Sequence, residues 1–169
     1  MKNQMEEAID WIGEDIDSTP KNPTKRNLFN EKEGVEELSG EKSDTFHTIL
    51  DKSLYISKRA RPGIDVSVAY LCTRVSRSID DDWKKPRRVI GLLKGTVDDI
   101  RVIGADSMQN IYTWVYALYG FHDDLRSQAG EAMSFGQDFL HHKSSVHNLN
   151  TKSSIEAELV GTNVYIIVD

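Results

Sequence analysis

The chain has 169 residues, 38% of them hydrophobic and 28% charged, enough for one domain or two small ones with a packed core. No apolar run reaches the roughly 20 residues of a membrane-spanning helix, and the acidic, polar first twenty residues carry no secretory pattern. The single cysteine, Cys72, excludes an internal disulfide and any multi-cysteine zinc site, and a reducing cytoplasmic or nuclear location is expected. The net charge of −6 argues against a uniformly basic nucleic-acid binder, but charge is segregated. Residues 1–51 carry 6 basic and 13 acidic side chains, residues 52–94 carry 11 and 4, and residues 95–169 carry 4 and 10. The basic middle is the segment best suited to lie against phosphates.

Residues 1–16 read as an amphipathic helix, with Met5, Ile9, Ile12 and Ile16 on one stripe and Trp11 at its rim. Pro20 and Pro23 end it, and 18–40 is expected to be a loose polar connector. A second helix is predicted over 44–58, with Phe46, Ile49, Leu50 and Leu54 on one face. A third is predicted over 65–75, presenting Val66, Ala69, Tyr70, Cys72 and Thr73. Cys72 reads as a packed small hydrophobe, because no basic partner is fixed beside it by spacing. The fourth helix begins near Ser78 or Asp80 and stops at Gly95, with Asp80, Asp81 and Asp82 at its positive end. Pro86 conflicts with it at about 3 kcal/mol, so a kink or a later start is expected.

A strand is predicted over 97–104, and three more over 111–117, 132–135 and 139–144. The last two are joined by a turn at Gly136, Gln137 and Asp138. A helix follows over 151–159, where Ser153 and Glu156 form a capping-box pattern and Glu158 falls in the first or second turn. Residues 164–168 read as a further strand ending at Asp169. Three parts are expected: an N-terminal helix and acidic linker over 1–43, a helical segment over 44–96, and a sheet with a helix over 97–169.

Several runs resemble copia-type retrotransposon polyproteins. The residues are Trp114 and Val115; His122, Asp123, Asp124, Leu125, Arg126 and Ser127; Gly130; Met133, Ser134, Phe135 and Gly136; and the run from Asn150 to Leu159, where the family reads close to S-S-T-E-A-E. Upstream, Leu54 to Pro62, Ile64, Asp65, Asp82 to Lys85, Arg88, Val89 and Leu93 to Thr96 resemble the segment joining polymerase to ribonuclease H. Gly63 and Pro86 depart from that pattern, and the polymerase palm with its Y-x-D-D strand would precede Met1. The resemblance implies an α+β fold: N-terminal helices, then an incomplete ribonuclease H-like sheet of four or five strands with one short helix.

It also implies a parental activity, cleavage of RNA in RNA–DNA hybrids by two magnesium ions, which needs several converging carboxylates. The helix carboxylate is matched by Glu158, but Tyr116 stands where the strand aspartate of a W-x-D-A pattern belongs. A neutral phenol with a pKa of about 10 does not bridge two metals. Asp169 is the one candidate for a third ligand. The expectation is therefore a catalytically inactive fragment that holds no magnesium, with Glu158 a solvated helix carboxylate. Asp123 and Asp124 read as loop residues, and His141, His142 and His147 support no zinc site, because adjacent strand residues face opposite ways. The alternative reading is a non-catalytic nucleic-acid-binding module using the basic helices, through Lys58, Arg59, Arg61, Lys84, Lys85, Arg87 and Arg88.

Overall fold

The computed structural model describes residues 1–12, 16, 19–25, 28–29, 36–120, 122 and 125–166. The chain divides into two compact units, Met1–Arg101 and Val102–Asp169. The fold is α+β: helices in the first unit, a three-stranded antiparallel sheet with one helix in the second.

The first unit contains α1 (Lys2–Trp11), α2 (Glu41–Arg59), α3 (Asp65–Thr73) and α4 (Asp80–Gly95), with single 3-10 turns at Pro62–Ile64 and Val75–Arg77. In α2 the buried set Phe46, Ile49, Leu50, Ser53, Ile56 and Ser57 recurs at three- and four-residue spacing, so one stripe turns inward. Of these, Phe46, Ile49, Leu50 and Ile56 join Met5, Ala8, Val68, Leu71, Val89, Ile90 and Leu93 in one core. Each large aliphatic or aromatic member contributes about 1.5–3 kcal/mol by leaving water.

Several expectations change here. The helix over 1–16 is shorter, ending at Trp11, although Ile12 and Ile16 still reach the core; the one over 65–75 ends at Thr73. The helix around Pro86 does not start late: α4 begins at Asp80 and contains a buried Pro86. Packing of Trp83, Val89, Ile90 and Leu93 on one side compensates the lost backbone hydrogen bond. The described residues of the connector are less loose than their composition predicts. Leu28 is buried, Phe29 meets the Tyr70 ring edge-on, and the Leu38 amide donates to the Ser78 carbonyl.

The second unit contains β1 (Tyr112–Leu118), β2 (Gln128–Ser134), β3 (Phe139–Val146) and α5 (Ser154–Ile166). The sheet order is β1-β2-β3, with Tyr116 opposite Gly130 and Gly130 opposite Ser144. The β2–β3 turn uses Gly136 at φ +125°, a conformation that excludes most L side chains. The α5 start follows its sequence signal: the Glu156 amide donates to Ser153 Oγ, and the Glu156 carboxylate accepts from the Lys152 amide.

The strand expected over 97–104 is absent: α4 gives way to a turn and then to chain without regular structure, with Ile100 and Val102 exposed, and an isolated bridge joins Ala105 to Gly136. Without a neighbouring strand, β-prone residues there gain no ladder. The strand expected over 164–168 is also overturned, since α5 runs on through Ile166. Ala157, Gly161 and Tyr165 fall at i, i+4 and i+8, one helical face, and packing on the sheet overrides local β-propensity. The described residues thus form three strands where four or five were expected.

Candidate functional site

Alternation along the strands defines two faces of the sheet. On one, Ala117 and Ala129 lie under Gly161 of α5, and Ser145 shares a hydrogen bond with the Tyr165 hydroxyl. Lys143 lies over the Tyr165 ring, and His141 Nε2 is 2.9 Å from Glu131 Oε1 on the same face. Burial pushes the Tyr165 phenol above its ordinary value.

Tyr116 belongs to the other face. Its ring lies over Gly130, where a Cβ would collide with it. Tyr112, Trp114 and Leu118 share this open face with Tyr116, and Phe139 meets the Trp114 ring edge-on at 5.8 Å. Glu158 is exposed in the second turn of α5. The structure therefore does not bring Tyr116 and Glu158 together: the first points away from the face that the helix covers. Asp169, Asp123 and Asp124 lie outside the described residues. Among the described residues no group of three or more His, Cys, Asp or Glu side chains is arranged to hold a metal ion.

The histidines separate as alternation requires. His142 faces away from His141, and His122 Nε2 meets Gln128 Oε1 at 2.9 Å. His147 is buried behind Gly161, and neither of its ring nitrogens has a hydrogen-bond partner among the described residues. Burial lowers its pKa. In the first unit Cys72 is half-buried, and burial, then Asp51 and Asp65, push its thiol up, which disfavours the nucleophilic thiolate.

The basic residues are largely committed within the first unit. Lys58 sits 2.7 Å from the buried carboxylate of Asp65, which also accepts from Ser57 Oγ. Arg61 donates to the carbonyls of Thr96 and Asp99 beyond the end of α4, and Arg88 Nε donates to the Asn22 carbonyl. Lys85 pairs with Asp82 at 2.9 Å and lies over the Tyr70 ring, and Lys84 is 3.6 Å from Asp81. Arg87 is half-buried, and Arg59 is exposed on the last turn of α2. A network missed by sequence reading joins α3 to α4: Arg74, 5% exposed, reaches Asp82, 1% exposed, whose carboxylate also accepts from the Ile79 amide. The eight-residue spacing across two elements carried no local signal for it.

The chain matches no protein-family model, no curated protein and no solved structure in the comparisons made.

Proposed function

We propose that this chain is a non-catalytic relative of the polymerase–ribonuclease H junction of copia-type retrotransposon polyproteins. The observation that carries the reading is the order of elements: an antiparallel β1-β2-β3 meander, then α5 across β1 and β2 with a glutamate in its second turn. The motif residues of that family fall along this order in the same sequence, the S-S-x-E-A-E run opening the helix at its cap.

The parental reaction needs two divalent metals held by converging carboxylates, one activating water and the other stabilising the leaving oxygen. The donor set here does not fit magnesium. Tyr116 offers a phenol on the face away from α5, and Glu158 stands exposed by itself. The internal contacts of Lys58, Arg61, Lys84, Lys85 and Arg88, with carboxylates or backbone carbonyls of the same unit, also argue against the alternative of a nucleic-acid-binding module.

The test is incubation of the chain with a labelled RNA–DNA hybrid in magnesium or manganese. No cleavage above that of Glu158→Gln is expected; metal-dependent turnover that Glu158→Gln abolishes overturns the proposal.

A further inference from the structure

His147 follows β3 on the face of the sheet that α5 covers. Alternation carried past Val146 puts it on the side of Ser145. A Cβ placed on Gly161 would stand 3.6 Å from its Nε2 and 3.7 Å from the Cβ atoms of Ala117 and Ala129. The imidazole is thus shut in by the helix backbone. It is buried, and neither ring nitrogen has a hydrogen-bond partner among the described residues. An imidazolium there would be a charge with neither water nor an acceptor, which a closed seam tolerates poorly.

The described groups that could offset such a charge are turned elsewhere. On the helix-covered face β1 contributes Thr113, Val115 and Ala117, none of which titrates. On β2, Glu131 is paired with His141 at 2.9 Å; on β3, Lys143 lies over the Tyr165 ring. Tyr165 of α5 shares its hydroxyl with Ser145, and the Glu156 carboxylate accepts from the Lys152 amide. Glu158 and Lys152 are exposed. Before β2, Arg126 is exposed and His122 meets Gln128, which belongs to the opposite face.

The weakest attachment around His147 is that of α5. Backbone ladders hold β2 to both of its neighbours, and the His147 amide donates to the Ser127 carbonyl. The helix has satisfied its own backbone and meets the sheet through side chains. Ala157, Gly161 and Tyr165 are buried, while Ile155, Leu159 and Val164 stay exposed. Little apolar area returns to water when α5 lifts away, so the ring is hydrated more readily by this route than by parting the strands.

We propose that α5 is a proton-released clasp: once His147 takes up a proton, the helix swings off the sheet and the three strands remain paired. Above the ordinary imidazole value of 6.5 the open and closed forms are both neutral, and the helix stays down. Below it, the open form binds a proton that the closed form refuses. The open fraction then rises up to about tenfold per pH unit, until the closed form titrates as well.

Amide hydrogen exchange of the full chain from neutral to mildly acidic pH, normalised to the intrinsic rate at each pH, reads helix and strands separately. Protection over 154–166 should fall by up to about tenfold per pH unit below 6.5, while β2 keeps its protection. Equal losses in α5 and β2, or no loss in α5, overturn the inference. His147→Gln should abolish the pH dependence and His141→Gln should preserve it; the reverse overturns the assignment to His147. Substitution at a buried site can disturb the fold, so the imidazole resonances of the unaltered chain supply an independent reading. His147 should titrate in step with the loss of α5 protection, and titration beneath a helix that stays protected overturns the clasp.

Discussion

His147 concentrates the polar chemistry of the second unit in one buried side chain. It is 5% exposed, backed by Gly161, and desolvation alone holds its pKa down. Above its ordinary value of 6.5 the imidazole is neutral in both folded and unfolded chains, and its burial carries no protonation penalty. As pH falls below that value the unfolded chain binds a proton that the folded chain refuses. Stability therefore drops through the window between 6.5 and the lower folded pKa. Urea titrations at steps from neutral to mildly acidic pH should show the second unit weakening in that window. His147→Gln, neutral throughout, should flatten the slope; an unchanged slope would remove His147 as its cause. Sequence reading had the residue but only as a metal candidate, because burial behind a helix that packs from 14 residues downstream is invisible in local pattern.

Helix α4 depends on a carboxylate at its third position. Asp82 accepts from the Ile79 amide, which completes the start of α4, from Lys85 one turn on, and from Arg74, which ties α4 to the chain after α3. Asp82→Ala removes the buried Arg74–Asp82 ion pair, a loss of about 3–5 kcal/mol in the unfolding free energy of the first unit. Denaturant melts followed by far-UV circular dichroism would measure it, and a change under about 1 kcal/mol would mean that the pair is dispensable. The stretch rich in aspartate was legible as a helix start from dipole and capping rules. That one of its three carboxylates is buried was not, since Asp80, Asp81 and Asp82 are alike in sequence and differ only in the direction that the helix gives them. Elements whose signal is local, α2, α4 and the cap of α5, emerged close to expectation. The strand expected over 164–168 failed because Val164 and Tyr165 sit on a helix whose face the sheet selects.

The two units differ in what they bury. The first encloses a contiguous set of large side chains that includes Phe46, Ile49, Leu50, Ile56, Leu71 and Ile90. Among the described residues of the second, the buried hydrophobics are Ala129, Ala157 and Tyr165, accompanied by Ser127, Gln128, Ser134, Ser144 and Thr151. Less apolar area removed from water means less stability, so the second unit should unfold first. In a Trp11→Phe, Trp83→Phe background, Trp114 is the only indole and reports the sheet, while circular dichroism is dominated by the helical unit. The fluorescence transition should fall at lower urea than the circular dichroism transition; coincident curves would contradict independent unfolding.

The sequence by itself determined the α+β order, the helical first part, the antiparallel meander and the capped helix after it, because these follow from periodicity, turn residues and caps within a few positions of one another. It also determined that Tyr116 offers no carboxylate to a metal. Only the tertiary structure decided that Tyr116 and Glu158 do not share a face, that most of the basic residues singled out spend their charge inside the first unit, and that α5 continues as a helix through Ile166 against the sheet. Each of these depends on which distant element lies against a residue, and neither propensity nor spacing encodes that contact.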